Sequence, residues 1–152
     1  MTINNTQQIF IGSDHAGFKL KEEIKLKLQE LKYTLIDLTP DQPILTDDYP
    51  PVAQKVTTEV LKNNARGILL CGSGNGICMA ANKVTGIRAA LGYNTQSAKW
   101  ARNDEDANIL CLAGAVLSPE YATAITKNFL DTPFSEEERH TRRIEELNQL
   151  DK

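Results

Sequence analysis

Gly67-Ile68-Leu69-Leu70-Cys71, followed at once by Gly72-Ser73-Gly74-Asn75-Gly76 and then by Ile77 to Lys83, decides the architecture of this chain. The first five residues form an apolar run without alternation. Such a strand must be covered on both faces, which is the condition of a parallel sheet flanked by helices. The three glycines make a turn, and the segment after them reads as a short helix. Working back from that unit, Val52 to Lys62 places Val52, Val56, Val60 and Leu61 on one helical face. Before it, Thr39 to Pro51 holds Pro40, Pro43, Pro50 and Pro51 and reads as a loop. Tyr33 to Leu38 is a strand, and Phe18 to Leu31 is an amphipathic helix with Leu20, Ile24, Leu28 and Leu31 at helical spacing. Gln8 to Ile11 is a short apolar strand ending at Gly12.

Working forward, Gly86 to Leu91 reads as a strand, Thr95 to Ala101 as a helix and Asn108 to Leu112 as a fifth strand. Ser118 and Pro119 are a helix start, with Ser at the cap and Pro at the first helical position, and that helix runs to about Leu130. Glu136 to Leu150 is a final charged helix with Ile144, Leu147 and Leu150 on one stripe. Strands alternate with helices and no repeat or linker interrupts them. Residues 1–152 are therefore expected to form one α/β domain around a parallel sheet.

Composition narrows the function. The 152 residues are 41% hydrophobic and 24% charged, an ordinary globular balance that argues against disorder. Lys and Arg number 17 against 20 Asp and Glu, a net charge of −3, so the basic excess of a generic nucleic-acid binder is missing. No apolar run approaches the ~20 residues of a membrane helix. Met1 to Gln8 lacks the charged-then-apolar layout of a signal peptide. Three cysteines without a CxxC favour neither a disulfide framework nor a zinc site, and a reducing cytoplasm is the expected location. Charge is uneven. Val60 to Asn103 contains no acid but holds Lys62, Arg66, Lys83, Arg88, Lys99 and Arg102, which suits an anionic ligand near the glycine loop. Scattered surface cations are the competing explanation.

Ligands of such sheets bind beyond the carboxyl ends of the strands, which draws attention to the segments after strands one, three and five. Gly72 to Gly76 can turn several N–H groups inward at a helix start, to hold a phosphate or stabilise an oxyanion. The loop is not a Walker sequence, a dinucleotide fingerprint or a nucleophile elbow. Cys71 at its mouth is either a buried strand-end thiol or a thiolate favoured by the helix end. Cys78 and Cys111 read as core residues. After strand one, Asp14 and His15 can bind a hydroxyl and an anion, while Ser13 or Asp14 caps the helix. Two histidines in the whole chain do not favour a metal site. Arg102-Asn103-Asp104-Glu105-Asp106 is either a solvated loop or the source of a general acid. Arg139 and Arg143, four apart, share a helix face and can clamp a phosphate, unless neighbouring glutamates claim them.

Taken in order, Ser13-Asp14-His15-Ala16-Gly17, Asp48-Tyr49-Pro50, Cys71 to Gly76, Ala80-Ala81-Asn82-Lys83, Gly86-Ile87-Arg88-Ala89-Ala90 and Arg139-His140-x-x-Arg143 resemble the ribose-5-phosphate isomerase B family, which includes the paired galactose-6-phosphate isomerase subunits. The resemblance implies a Rossmann-like three-layer α/β/α sandwich with a five-stranded parallel sheet. It implies a homodimer or a dimer of dimers with active sites between subunits, the final helix packing on the partner. The implied reaction interconverts an aldose and a ketose phosphate through a cis-enediolate, with no cofactor or metal.

Carried onto this sequence, the resemblance makes Cys71 the base, with Ser73, Gly72, Gly74, Asn75 and Gly76 the enediolate cradle and Tyr49 beside the substrate. Asp14 becomes a hydroxyl ligand, and His15, Arg139 and Arg143 become the phosphate site. Some members place a Glu where Ile77 stands, leaving Cys71 the only candidate base here. The ring-opening His and the Asn after it, usual in the family, are Asp104 and Glu105, and the usual Arg after strand five falls within Ala113 to Val116 and is absent. Ribose 5-phosphate is the expected substrate. Another aldose phosphate, or sugar-phosphate binding without catalysis, are the alternatives these departures leave.

Overall fold

The computed structural model describes residues 7–151, so most of the polar N-terminal segment read above lies outside the described residues. Five strands, β1 (Ile9–Ser13), β2 (Leu35–Asp37), β3 (Arg66–Cys71), β4 (Ala89–Leu91) and β5 (Ile109–Ala113), pair in parallel in the order β2-β1-β3-β5-β4. Six helices join them: α1 (His15–Glu30), α2 (Tyr49–Asn63), α3 (Asn75–Ala81), α4 (Thr95–Asn103), α5 (Pro119–Asp131) and α6 (Glu138–Asn148).

The apolar run at β3 is two-faced, as its composition requires. Ile68 and Leu70 join a core with Leu20, Ile24 and Leu28 of α1 and Ile125 and Phe129 of α5. Leu69 and Cys71 point the other way, into a second core with Val52, Val56 and Val60 of α2 and Ile77 of α3. Because side chains alternate along a strand, one continuous apolar segment supplies both layers of the sandwich. The three-layer α/β/α architecture with a five-stranded parallel sheet is therefore present.

Several boundaries differ: β1 extends to Ser13, α1 starts at His15 rather than Phe18, and β2 shortens to Leu35–Asp37. The proline loop was expected to reach Pro51, yet α2 starts at Tyr49, with Pro50 in its first turn, where a missing N–H costs no hydrogen bond. The fourth strand was expected over Gly86–Leu91, yet only Ala89–Leu91 pairs. Gly86 has φ +86, and Arg88 uses its N–H on the Asn108 side chain. Among the described residues, no helix is long and apolar enough to cross a membrane.

The sheet order places the switch point between β1 and β3, from which the chain departs in opposite directions. The crevice this creates lies beyond Ser13 and Cys71.

Candidate active site

At the carboxyl pole of the sheet, three loops close on one another. Gly17 lies so near β3 that a Cβ on it would meet the Leu70 backbone at 2.6 Å. A Cβ on Gly114, just after β5, would meet the Ala16 carbonyl at 2.7 Å and the Cys71 carbonyl at 3.1 Å. The Gly114 N–H donates to the Cys71 carbonyl at 2.8 Å, and Ala115 N–H to Gly72 at 3.0 Å. The segment after β5 thus supplies backbone support to the site.

The glycine loop is braced by its own side chains. Gly74 N–H donates to Cys71 Sγ at 3.2 Å, and Asn75 N–H donates to Ser73 Oγ at 3.2 Å. Gly74 has φ +78, a conformation glycine adopts without strain, and it forms the cap of α3. Cys71 is buried, its side chain on the face that also holds Cys78 and Cys111. All three cysteines are free. The neighbouring Cys111 thiol lowers the Cys78 pKa, while burial pushes Cys111 up. The expectation that Cys78 and Cys111 are packing residues agrees with their place in this core.

Tyr49 reaches the same pole. A Cβ on Gly76 would lie 2.7 Å from its ring, so the ring rests on the bare backbone of the glycine loop. Asp14 is buried and caps α1, its Oδ1 accepting from Gly17 N–H at 3.1 Å. Burial raises its pKa above the ordinary carboxylate value, against the Gly17 hydrogen bond and the neighbouring His15. Ser13 Oγ is buried beside it without a partner among the described residues.

His15 is held by a residue the sequence reading passed over. Asp47 Oδ1 accepts from the His15 backbone N–H at 2.8 Å and meets the ring Nδ1 at 2.7 Å. This hydrogen bond raises the His15 pKa and favours the imidazolium. Asp47 sits in the proline loop directly before the quoted Asp48-Tyr49-Pro50; the doubled acid was the available signal.

Asp104, Arg139 and Arg143 do not join this group. Each helix that follows a strand returns the chain to the amino ends of the strands, so Asp104, the cap residue ending α4, lies at the opposite pole. There Asn103 donates to its Oδ1 at 2.7 Å, and the buried His140 of α6 approaches it at 3.9 Å. Arg139 is exposed and donates to Glu137 at 2.8 Å, while Arg143 makes no ion pair among the described residues. Nine of the expected site residues therefore converge at one pole, and three stand at the other.

The arginines of the acid-free stretch are also displaced from their expected place. Arg66, Arg88 and Arg102 do not surround the glycine loop; they gather around Asp106 at the amino pole. No group of three or more His, Cys, Asp or Glu that could hold a metal occurs among the described residues.

A model of the family described as ribose/galactose isomerase matches residues 9–147. A probable ribose-5-phosphate isomerase B from Mycoplasma genitalium is 41% identical over 146 residues, 95% of each chain. The ribose-5-phosphate isomerase B of Mycobacterium tuberculosis is 37% identical over 141 residues, 92% of this chain and 87% of that one. A crystal structure of the Mycoplasma genitalium enzyme with bound ribulose-5-phosphate superposes with a TM-score of 0.89 at 40% identity, covering 95% of both chains.

Proposed function

The chain belongs to the ribose/galactose isomerase family, and on that premise we propose that it interconverts ribose 5-phosphate and ribulose 5-phosphate, with Cys71 as the base. The observation that carries this reading is the convergence of Asp14, His15 and Tyr49 on a glycine loop whose backbone already donates to Cys71 Sγ.

In the proposed reaction the Cys71 thiolate takes the proton from C2 of the open-chain aldose. The C1 carbonyl oxygen becomes an enediolate oxygen, the O2 hydroxyl proton passes to O1 as the C2 carbonyl forms, and the proton held by Cys71 returns at C1 to give the ketose. A thiolate base needs no metal for this step. Ser73 and the loop N–H groups not engaged by Cys71 Sγ and Ser73 Oγ face the developing charge, and one preorganised donor of this kind contributes about 3 kcal/mol. Asp14 accepts from a substrate hydroxyl, and the His15 imidazolium favoured by Asp47 attracts the phosphate.

Asp104, Arg139 and Arg143 enter the proposal through a second copy of the chain. In a homodimer, alone or paired into a dimer of dimers, the amino pole of one subunit faces the carboxyl pole of the other. Asp104 then exchanges the proton that opens the furanose ring, and Arg139 and Arg143 clamp the phosphate. The exposure of Arg139 and Arg143 supports this arrangement. Three free cysteines suit a reducing, cytoplasmic setting.

Asp104 and Glu105, where a His-Asn pair is usual in the family, favour a second reading, a different aldose phosphate such as a hexose 6-phosphate. Ketose formation from ribose 5-phosphate and from a hexose 6-phosphate, followed with the purified protein, decides between them. Cys71→Ala is expected to lower turnover about a thousandfold. Turnover insensitive to this change overturns the thiolate mechanism, and tight binding of all these sugars without turnover identifies a binding protein.

A further inference from the structure

We propose that the amino pole carries a separate anion site, in which Arg66, Arg88 and Arg102 bind a small phosphate-type dianion. These arginines come from the acid-free stretch, and folding brings them together around a cavity of about 400 Å³. Arg66 opens β3, Arg88 precedes β4 and Arg102 closes α4, so the cavity lies at the opposite end of the sheet from Cys71. Arg139 and Arg143 are not among its lining residues. The inference does not rest on the isomerase reading.

The charges in this cavity do not cancel. Its only carboxylate is Asp106, whose Oδ2 pairs with Arg88 at 3.1 Å and Oδ1 with Arg102 at 2.8 Å. Arg66 has no ion pair among the described residues; its guanidinium donates to the Leu130 carbonyl. Two further acids lie outside the lining: Asp131 is engaged by Lys127 and Tyr33, and Asp151 accepts from the Gly86 N–H at 3.0 Å. Burial, followed by the like charge of Arg102, pushes the Arg66 pKa down to about 10. Three guanidinium groups facing one carboxylate leave two positive charges for a ligand to neutralise.

Guanidinium groups present paired N–H donors that match phosphate oxygens, and a half-enclosed cavity weakens the screening that would otherwise disperse their field. Arg66 uses one nitrogen on the Leu130 carbonyl, Arg102 two on Asp106, Ala107 and Thr132, and Arg88 two on Asp106 and the Glu105 carbonyl, which leaves at least one guanidinium nitrogen of each for a ligand. Asn64 and Asn108 add amides to the lining, and no aromatic side chain is present to stack on a base. The ligand chemistry is therefore a compact phosphate or phosphomonoester.

The test uses the full chain carrying Arg139→Ala and Arg143→Ala, so that the phosphate clamp of the proposed substrate site is absent. Inorganic phosphate is titrated calorimetrically at constant ionic strength, with chloride as the control anion. One phosphate is expected to bind per chain, and adding Arg66→Gln is expected to weaken it tenfold or more, roughly the loss of one charged hydrogen bond.

Asp106→Asn tests the sign of the field. Asp106 has φ 45, a conformation asparagine also accepts, so the backbone is retained while the competing carboxylate is removed. Phosphate is then expected to bind several-fold tighter. Binding no stronger than that of chloride, binding unchanged by Arg66→Gln, or an Asp106→Asn protein that binds no tighter overturns the proposal. If Arg66→Gln does not fold, the Asp106→Asn comparison alone decides. Glycerol 3-phosphate in a parallel titration separates the sources: tighter than inorganic phosphate identifies a phosphomonoester site, weaker a free-phosphate site. Cys71→Ala leaves this binding intact, so failure here and failure of the isomerase reading are distinguishable.

Discussion

At the scale of the residue, His15 shows how a neighbour sets a side chain's charge. The ring lies 2.7 Å from Asp47, and the raised pKa keeps it charged above the ordinary midpoint of 6.5. Because the folded value is the higher one, the interaction favours folding fully below the unfolded pKa and fades as pH rises through the folded one. The functional counterpart is binding: as pH rises through that value, the KM for a phosphosugar is expected to increase more than kcat falls. Asp47→Asn should move the His15 midpoint down toward 6.5, measured on the ring resonances of a chain with only two histidines. An unmoved midpoint would show that Asp47 does not govern the charge. The Asp14-His15 pair was legible in the sequence, since it follows a strand ending and opens a helix. Asp47 was not, because a contact spanning 32 positions leaves no local periodicity.

Among the elements, α1 is fixed to the sheet by two features of different kind. The first is close approach. At Gly17 even a methyl group would overlap the Leu70 backbone, and backbone cannot move aside as a flexible side chain can. Gly17→Ala is expected to cost about 3 kcal/mol, read as a lower midpoint in urea. The same change at Gly72, whose Cβ would stand 3.4 Å from Ala16, should cost much less. The second feature is a buried cation. Lys21 is fully buried on the inner side of α1, with Asp37 of β2 at 2.9 Å. Lys25 joins the same carboxylate at 2.6 Å. Burial pushes the Asp37 pKa up, but the hydrogen bonds from Lys25 and Lys21 outweigh it and hold the pKa below 3.8. That stabilisation is present above the unfolded pKa and is lost as pH falls through the lower folded value. Lys21→Met, which leaves Asp37 half-compensated in the core, should lower stability by about 3 kcal/mol at neutral pH. The loss should shrink in acid as Asp37 is protonated. Helical spacing marked Leu20, Ile24, Leu28 and Leu31; the first three form the inner face of α1, Leu31 stands exposed at its cap, and nothing in the spacing showed that Lys21 lies on the inner face.

For the molecule as a whole, the parallel sheet separates the expected site into two halves. Helices α1 to α5 carry the chain back to the amino pole, where α6 also lies against the end of α4, so Cys71 and the arginines of α6 do not meet within one copy. If two copies complete the site, Cys71→Ala and Arg139→Ala/Arg143→Ala proteins, each inactive alone, should recover activity when mixed under conditions that exchange subunits. Random pairing makes half the dimers mixed, each with one intact site, so about a quarter of normal activity is expected. No recovery, with exchange verified, would confine the chemistry to a single chain. What the sequence by itself determined was local: the run from Gly67 to Cys71, the glycines after it and the helical stripes fixed the order of elements, the layers and the residues of the carboxyl pole. These follow from side-chain periodicity and backbone freedom, which neighbouring residues express directly. Only the tertiary structure decided that Asp104, Arg139 and Arg143 stand apart from Cys71, that Asp47 holds His15, and that the arginines of the acid-free stretch gather at Asp106 rather than the glycine loop. Charge acts through distance, and distances between segments far apart in sequence exist only once the sheet has set its strand order.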